Sequence, residues 1–186
     1  MEYGSMGKIE NGYKLVKGFL NKEELNLLQG YTEIHHRFNT SSFDNGGQSD
    51  NMDTCVYTDP IMDSLLLSKQ KRVEEETNLK LFPTYTFWRM YTYGADLKKH
   101  TDRNSCEISV TVCLWSDGTD WPIFMNGSSI SLKPGDGVIY EGIRIPHWRD
   151  EFKGDGQSQV FLHYVDADGE HKEYKYDKKT AIGYPR

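Results

Sequence analysis

Cysteine is scarce in this chain of 186 residues: Cys55, Cys106 and Cys113 are the whole complement, with no CxxC pair and no disulfide-rich spacing. That pattern excludes a disulfide scaffold and fits a reducing compartment. Positive charge is in deficit, with 22 Lys and Arg against 28 Asp and Glu and a net charge of −6. Gripping a phosphate backbone needs clustered cations, so nucleic acid is disfavoured as a partner. Long apolar runs are missing too, and the opening segment MEYGSMGKIENGYKLVKGFL, interrupted by Lys and Glu, lacks the apolar centre of a signal peptide. The expectation is a soluble, cytoplasmic protein without a membrane partner. No internal repeat or low-complexity segment is evident.

Aromatic residues, by contrast, are plentiful at 13%, and they concentrate between Phe82 and Tyr164. Large rings in that stretch are expected to line a site. The length suits one domain with a real core, expected to span residues 1–186.

Two helices are readable near the start. Asn21 followed by Glu24 has the form of a capping box, and Leu20 and Leu25 are spaced as a hydrophobic staple, which predicts a helix from Lys22 to about Gln29. Asp59 and Pro60 read as an N-cap and first helical residue, and Leu65, Leu66, Lys69 and Val73 share one face of a second helix down to about Thr77. Between them, RFNTSSFDNGGQSDNM from Arg37 to Met52 reads as a long loop of the kind that serves as a lid. After Leu79 the chain changes to short β-branched and aromatic runs, YTFWRMYTY, CEISVTVCLW, WPIFM, SISL, GVIYEG and SQVFLHYV, separated by turn residues. This spacing marks an antiparallel sandwich or barrel. The class expected is mainly β with flanking helices (α+β): residues 1–80 as helical support and loop, 81–166 as the barrel, 167–186 as a tail.

His100 and Asp102 sit two apart, so on an extended segment both side chains point to one face and reach one metal ion. With six histidines and frequent aspartates, a His-x-Asp string by itself is close to what composition supplies. The added weight comes from His147, far downstream in GIRIPHWRDEF, with several predicted strands between. Two imidazoles and one carboxylate on one face of a metal leave adjacent positions open, which suits ferrous iron binding an organic co-substrate and dioxygen. Zinc catalysis is a less natural fit.

The strings YTYGADLKKHTDR, LKPGDGVIYEG, PHWRDEF and QVFLHYV, with GFLNKEELNLL before them, resemble the prolyl-4-hydroxylase-like branch of the Fe(II)- and 2-oxoglutarate-dependent dioxygenases. The likeness covers most of the chain in order, and Tyr-x-x-Gly-x5-His-x-Asp is its most specific part. It implies a double-stranded β-helix, a jelly-roll or cupin-like barrel, preceded by N-terminal helices. It also implies that His100, Asp102 and His147 ligate Fe(II) and that Tyr91 faces the 2-oxoglutarate co-substrate. The implied reaction consumes O2, yields succinate and CO2, and hydroxylates a peptidyl carbon, prolyl included, or a small molecule. Asp102 matters here, because members that halogenate lack that carboxylate.

One departure stands out. The family places a Lys or Arg about ten residues after the distal His to pair with the far carboxylate of 2-oxoglutarate, and here that place is Gln157. Arg149, two after His147 and so on the same strand face, is one substitute. Gln157 and Gln159 offer amide hydrogen bonds, and His163 shares their face on a regular strand. A barrel in which none of these reached the pocket would take a different oxo acid or none.

Each residue also has an ordinary reading. Arg149 lies within RDE, where an exposed ion pair with Asp150 or Glu151 is the usual arrangement. Tyr91 in an aromatic run suits core packing. Gly135 and Asp136 in KPGDG form a turn with no catalytic part, and His35, His36 and His171 look like surface residues. Three functions follow: a hydroxylase, a cupin-like metal- or ligand-binding module without turnover, and a nucleic-acid demethylase, which the acidic balance opposes.

Overall fold

In a computed structural model of the chain, the described residues are 8–38 and 53–183. The element order is β1 (Tyr13–Val16), α1 (Lys22–Phe38), β2 (Thr54–Tyr57) and α2 (Pro60–Thr77), then β3 (Leu81–Thr92), β4 (Leu97–His100) and β5 (Ile108–Ser116). There follow β6 (Ile123–Met125), β7 (Ser128–Ile130), β8 (Gly137–Tyr140), β9 (His147–Arg149) and β10 (Gly156–Asp166). A six-stranded sheet runs β1-β8-β5-β10-β3-β2 and a four-stranded sheet runs β4-β9-β6-β7. From β3 onward the chain passes back and forth between the two sheets, and the strand pairs are antiparallel. That wrap is the double-stranded β-helix, and its strands run from Leu81 to Asp166.

Period-2 alternation divides the larger sheet into two faces. Trp88, Met90, Val110, Val112, Leu114, Val160, Leu162 and Tyr164 point one way and form a single core with Phe19, Leu20, Leu28, Met62, Leu66 and Val73. The helices therefore back that face, and the alternate residues of the same strands turn toward the smaller sheet, where the chemistry sits.

The capping signals hold at atomic level. The Glu24 N–H donates to Asn21 Oδ1 and the Asn21 N–H donates to Glu24 Oε2, both at 2.9 Å. Asp59 caps α2, its Oδ1 accepting from the N–H groups of Ile61 and Met62, with Pro60 in the first turn. Leu65, Leu66, Lys69 and Val73 are all buried.

Four expectations need correction. Helix α1 does not stop near Gln29 but runs to Phe38. Gly30 costs a helix interior only about 1 kcal/mol, and the next turns pack: Thr32 is buried, and Tyr31 and His35 meet the Trp88 ring at 6.4 and 5.1 Å. His35 and His36 are thus helical and half-buried rather than surface residues, with His36 Nδ1 2.6 Å from Thr54 Oγ1. Arg37 and Phe38 belong to α1, and the rest of the expected loop, 39–52, lies outside the described residues. The N-terminal part is not only helical, because β1 and β2 extend the larger sheet beside β8 and β3. Among the described residues, no helix is long and apolar enough to cross a membrane.

Candidate metal centre

Strand β4 ends at His100 and β9 begins at His147, and the two stand directly opposite in the antiparallel register. Asp102 follows two residues beyond the end of the strand, its N–H held by the Gly142 carbonyl at 2.8 Å. His100 Nε2 and His147 Nε2 lie 3.4 and 3.5 Å from Asp102 Oδ1, and the candidate donor atoms of the three residues fall within 4.8 Å of one another. The two imidazole rings are 4.3 Å apart.

The backbone orients both rings. His100 Nδ1 is 2.7 Å from the Lys98 carbonyl and His147 Nδ1 is 2.8 Å from that of Ile145. A carbonyl only accepts, so each Nδ1 carries a proton and Nε2 is the atom presented to the centre. Burial pushes the Asp102 carboxyl up, but its contacts with His100 and His147 reverse this and hold it far below the usual range. It is therefore ionised at neutral pH. Its Oδ2 is buried without a hydrogen-bond partner. A desolvated carboxylate oxygen and two converging imidazole nitrogens form a donor set that fits a divalent cation.

Beside the triad lies a cavity of about 200 Å³ whose other walls include Tyr57, Tyr85, Phe87, Arg103, Phe161 and His163. The expected ring lining is thus realised at the centre itself. His163 is buried, which pushes its imidazole down to about 4 and leaves it neutral, with Nδ1 2.8 Å from Ser109 Oγ.

Farther along β9 is a second polar group. Arg149 is 2% exposed, its Nη1 donates to the Trp121 carbonyl, and its guanidinium lies 4.8 Å from the Trp121 ring. Its Nε and Nη2 have no hydrogen-bond partner, nor do Tyr91 Oη and Gln159 Nε2. Burial drives the Arg149 pKa down. The exposed ion pair with Asp150 or Glu151 is excluded by that depth. Gln159 is steadied by Thr111, whose hydroxyl donates to Gln159 Oε1 at 3.3 Å, and Gln157 is buried opposite Tyr91.

Arg89 was not singled out by the sequence reading. It stands on β3 opposite Gln159, with its guanidinium 4.6 Å from the Tyr91 ring, and its Nε and Nη2 donate to buried Asp53 at 3.0 and 2.7 Å. The signal was present: a lone cation two residues before Tyr91 in an otherwise uncharged strand.

The structure therefore brings together His100, Asp102 and His147 in one cluster. It gathers Tyr91, Arg149, Gln159 and Arg89 in another, with Gln157 opposite Tyr91. His163 belongs with the cavity at the triad rather than with Arg149. Gly94 forms the turn between β3 and β4 at φ 82°, a left-handed conformation that glycine adopts freely. Gly135 (φ 90°) and Asp136 form the expected turn, with Asp136 accepting from the N–H groups of Gly18 and Lys133.

No protein-family model matches the sequence, and no curated protein matches it. Solved structures do match in shape. A viral collagen prolyl hydroxylase from Paramecium Bursaria Chlorella virus-1, in a 2OG complex, aligns with TM-score 0.59 at 14% identity over 82% of this chain and 95% of that one. A Pseudomonas putida prolyl-4-hydroxylase aligns with TM-score 0.61 at 17% identity over 83% and 92%. EctD from S. alaskensis, with 2-oxoglutarate and 5-hydroxyectoine, aligns with TM-score 0.66 at 11% identity over 100% and 90%. The same enzyme has been solved with bound Fe. The fold of this chain is that of the prolyl-hydroxylase-like 2-oxoglutarate oxygenases.

Proposed function

We propose that the protein is an Fe(II)- and 2-oxoglutarate-dependent dioxygenase that hydroxylates a carbon of a small-molecule or peptidyl substrate. The observation that carries this reading is a pairing: a His-Asp-His donor set with an orphaned carboxylate oxygen, and an uncompensated buried guanidinium along the same strand. An unpaired charge in a protein interior is costly, and a ligand carboxylate is what Arg149 lacks.

His100 and His147 would hold iron through Nε2 and Asp102 through its carboxylate. Bound iron would supply dioxygen activation coupled to oxidative cleavage of 2-oxoglutarate to succinate and CO2. Arg149 would pair with the far carboxylate of the co-substrate, with Tyr91 and Gln159 adding neutral hydrogen bonds. Arg89 is the weaker candidate for that task, because Asp53 already neutralises it. The cation expected near Gln157 on β10 is thus replaced by one on β9. Tyr85, Phe87 and Phe161 keep bulk water from the reacting carbon. Prolyl residues are one substrate class suggested by the solved neighbours, and EctD suggests small molecules equally well.

The rival reading, a metal- or ligand-binding cupin module without turnover, rests on the uncharged residue at 157, and Arg149 acting as the anchor would answer it. The test is direct. Anaerobic Fe(II) with 2-oxoglutarate should give a weak visible charge-transfer band, and aerobic incubation should release succinate. An iron-loaded protein with neither band nor succinate overturns the proposal.

A further inference from the structure

The mouth of the cavity holds a complete carboxylate receptor, and a residue of this chain's own tail occupies it. Arg103, next in sequence to Asp102, donates from Nη1 and Nη2 to the two carboxylate oxygens of Asp177 at 2.7 and 3.0 Å. Tyr57 Oη donates to the same carboxylate. The guanidinium is stacked 4.4 Å from the Tyr85 ring, and Tyr57, Tyr85 and His163 form a ladder of rings with centroids 5.0 and 4.5 Å apart. All of these rings and Arg103 line the same cavity as His100, Asp102 and His147. The Asp177 side chain is 7% exposed, while Arg103 keeps 47%.

The tail reaches this position in an unusual way. Tyr176, Asp177 and Lys178 have φ of 54°, 54° and 62° in succession. Three consecutive non-glycine residues in the left-handed region are rare, because each sets its Cβ against the backbone. A sparsely populated backbone that persists at a site signals that a local contact dictates it. Here the contact is the bidentate pair, the strongest geometry a guanidinium offers a carboxylate.

We infer that Arg103 and Tyr57 form the subsite for a substrate carboxylate, that Asp177 stands in for that group, and that the substrate is a small acid with an apolar or aromatic body. The word substrate rests on the function proposed above; the carboxylate site does not. The ring ladder gives the body of the acid a face to stack on. Binding would exchange one carboxylate for another at Arg103 and release the tail segment.

The test uses the full chain and phenylacetate as the probe, with phenylacetamide as its neutral counterpart. Binding is followed by calorimetry in the wild type, Asp177→Ala, Asp177→Asn and the double variant Arg103→Met/Asp177→Ala, each checked for folding by thermal melting. Phenylacetate should bind both single variants at least tenfold more tightly than the wild type, and phenylacetamide should show no gain. The double variant should lose the gain. Folded Asp177 variants without improved phenylacetate binding, or an improvement that survives loss of Arg103, overturn the inference. Asp177→Asn retains the shape of the side chain and serves if the alanine variant does not fold. Succinate release without this binding behaviour would leave the oxygenase reading in place with another substrate. This binding behaviour without succinate would leave an acid-binding site and remove the oxygenase.

Discussion

A Cβ on Gly142 would lie 2.5 Å from Asp102 Oδ2 and 2.4 Å from the Cys106 carbonyl oxygen, so the carboxylate occupies space that only glycine leaves open. The same glycine accepts the Asp102 N–H and donates its own to the Glu107 carbonyl. The backbone oxygen cannot swing away as a side chain would, so a methyl group here must displace Asp102. Gly142→Ala should weaken divalent-metal binding by about 10- to 100-fold, the range for residues that orient ligands. A metal titration with Fe(II) or Co(II) reads this, and unchanged affinity would remove Asp102 from the ligand set.

Arg149 is expected to be a burden on the ligand-free protein. Burial disfavours its charge and two of its nitrogens lack partners. Replacing it with a methionine that fills similar space should raise stability toward urea by about 1–4 kcal/mol, as for other buried ionic groups replaced by apolar ones. The same change should weaken 2-oxoglutarate by about tenfold or more, the loss of a charge-assisted pair worth about 1.5–3 kcal/mol. An Arg149→Met protein that keeps wild-type 2-oxoglutarate affinity would eliminate this residue as the anchor.

Asp53 and Arg89 are a fully buried pair, and Asp53 Oδ1 also accepts from the Thr92 N–H and hydroxyl at 3.0 Å. Asp53→Ala strands the guanidinium and should cost about 3–5 kcal/mol. Adding Arg89→Met should restore part of that. Equilibrium denaturation of the single and double variants tests the coupling, and additive losses would mean that the pair is not the source.

Partial burial pushes the Asp136 carboxyl up, but the Lys17 ammonium and the N–H groups of Gly18 and Lys133 outweigh it and hold the pKa below its ordinary value. With the folded pKa depressed, this contribution is full above the unfolded carboxylate value near 4 and disappears as pH falls through the folded pKa. Asp136→Asn should therefore lower the melting temperature at pH 7 and have less effect at pH 3. An equal effect at both values would show that shape, not charge, is what Asp136 supplies.

Much of the fold was legible because the relevant signals are local. The β-branched and aromatic runs of β3, β5 and β10, the Asn21–Glu24 box and the Asp59 cap depend on neighbours a few residues away, and each appears where its pattern lay. The end of α1 is not legible locally, because its last turns are held by Trp88, about fifty residues on. Strands β1 and β2 escaped notice for a similar reason: four-residue strands carry little periodicity, and their partners β8 and β3 are distant in sequence.

By itself, the amino-acid sequence determined which residue types were available, where the helix caps and strand-forming runs lie, and that on an extended segment His100 and Asp102 would share a face. Only the tertiary structure decided that His147 stands opposite His100, that Arg149 is buried without a partner while Arg89 has one, and that Asp177 fills the grip of Arg103. Those outcomes depend on strand register and desolvation. A shift of one residue in β9 or β10 would turn the same side chains to the other face, and periodicity within a segment carries no information about which segment it meets.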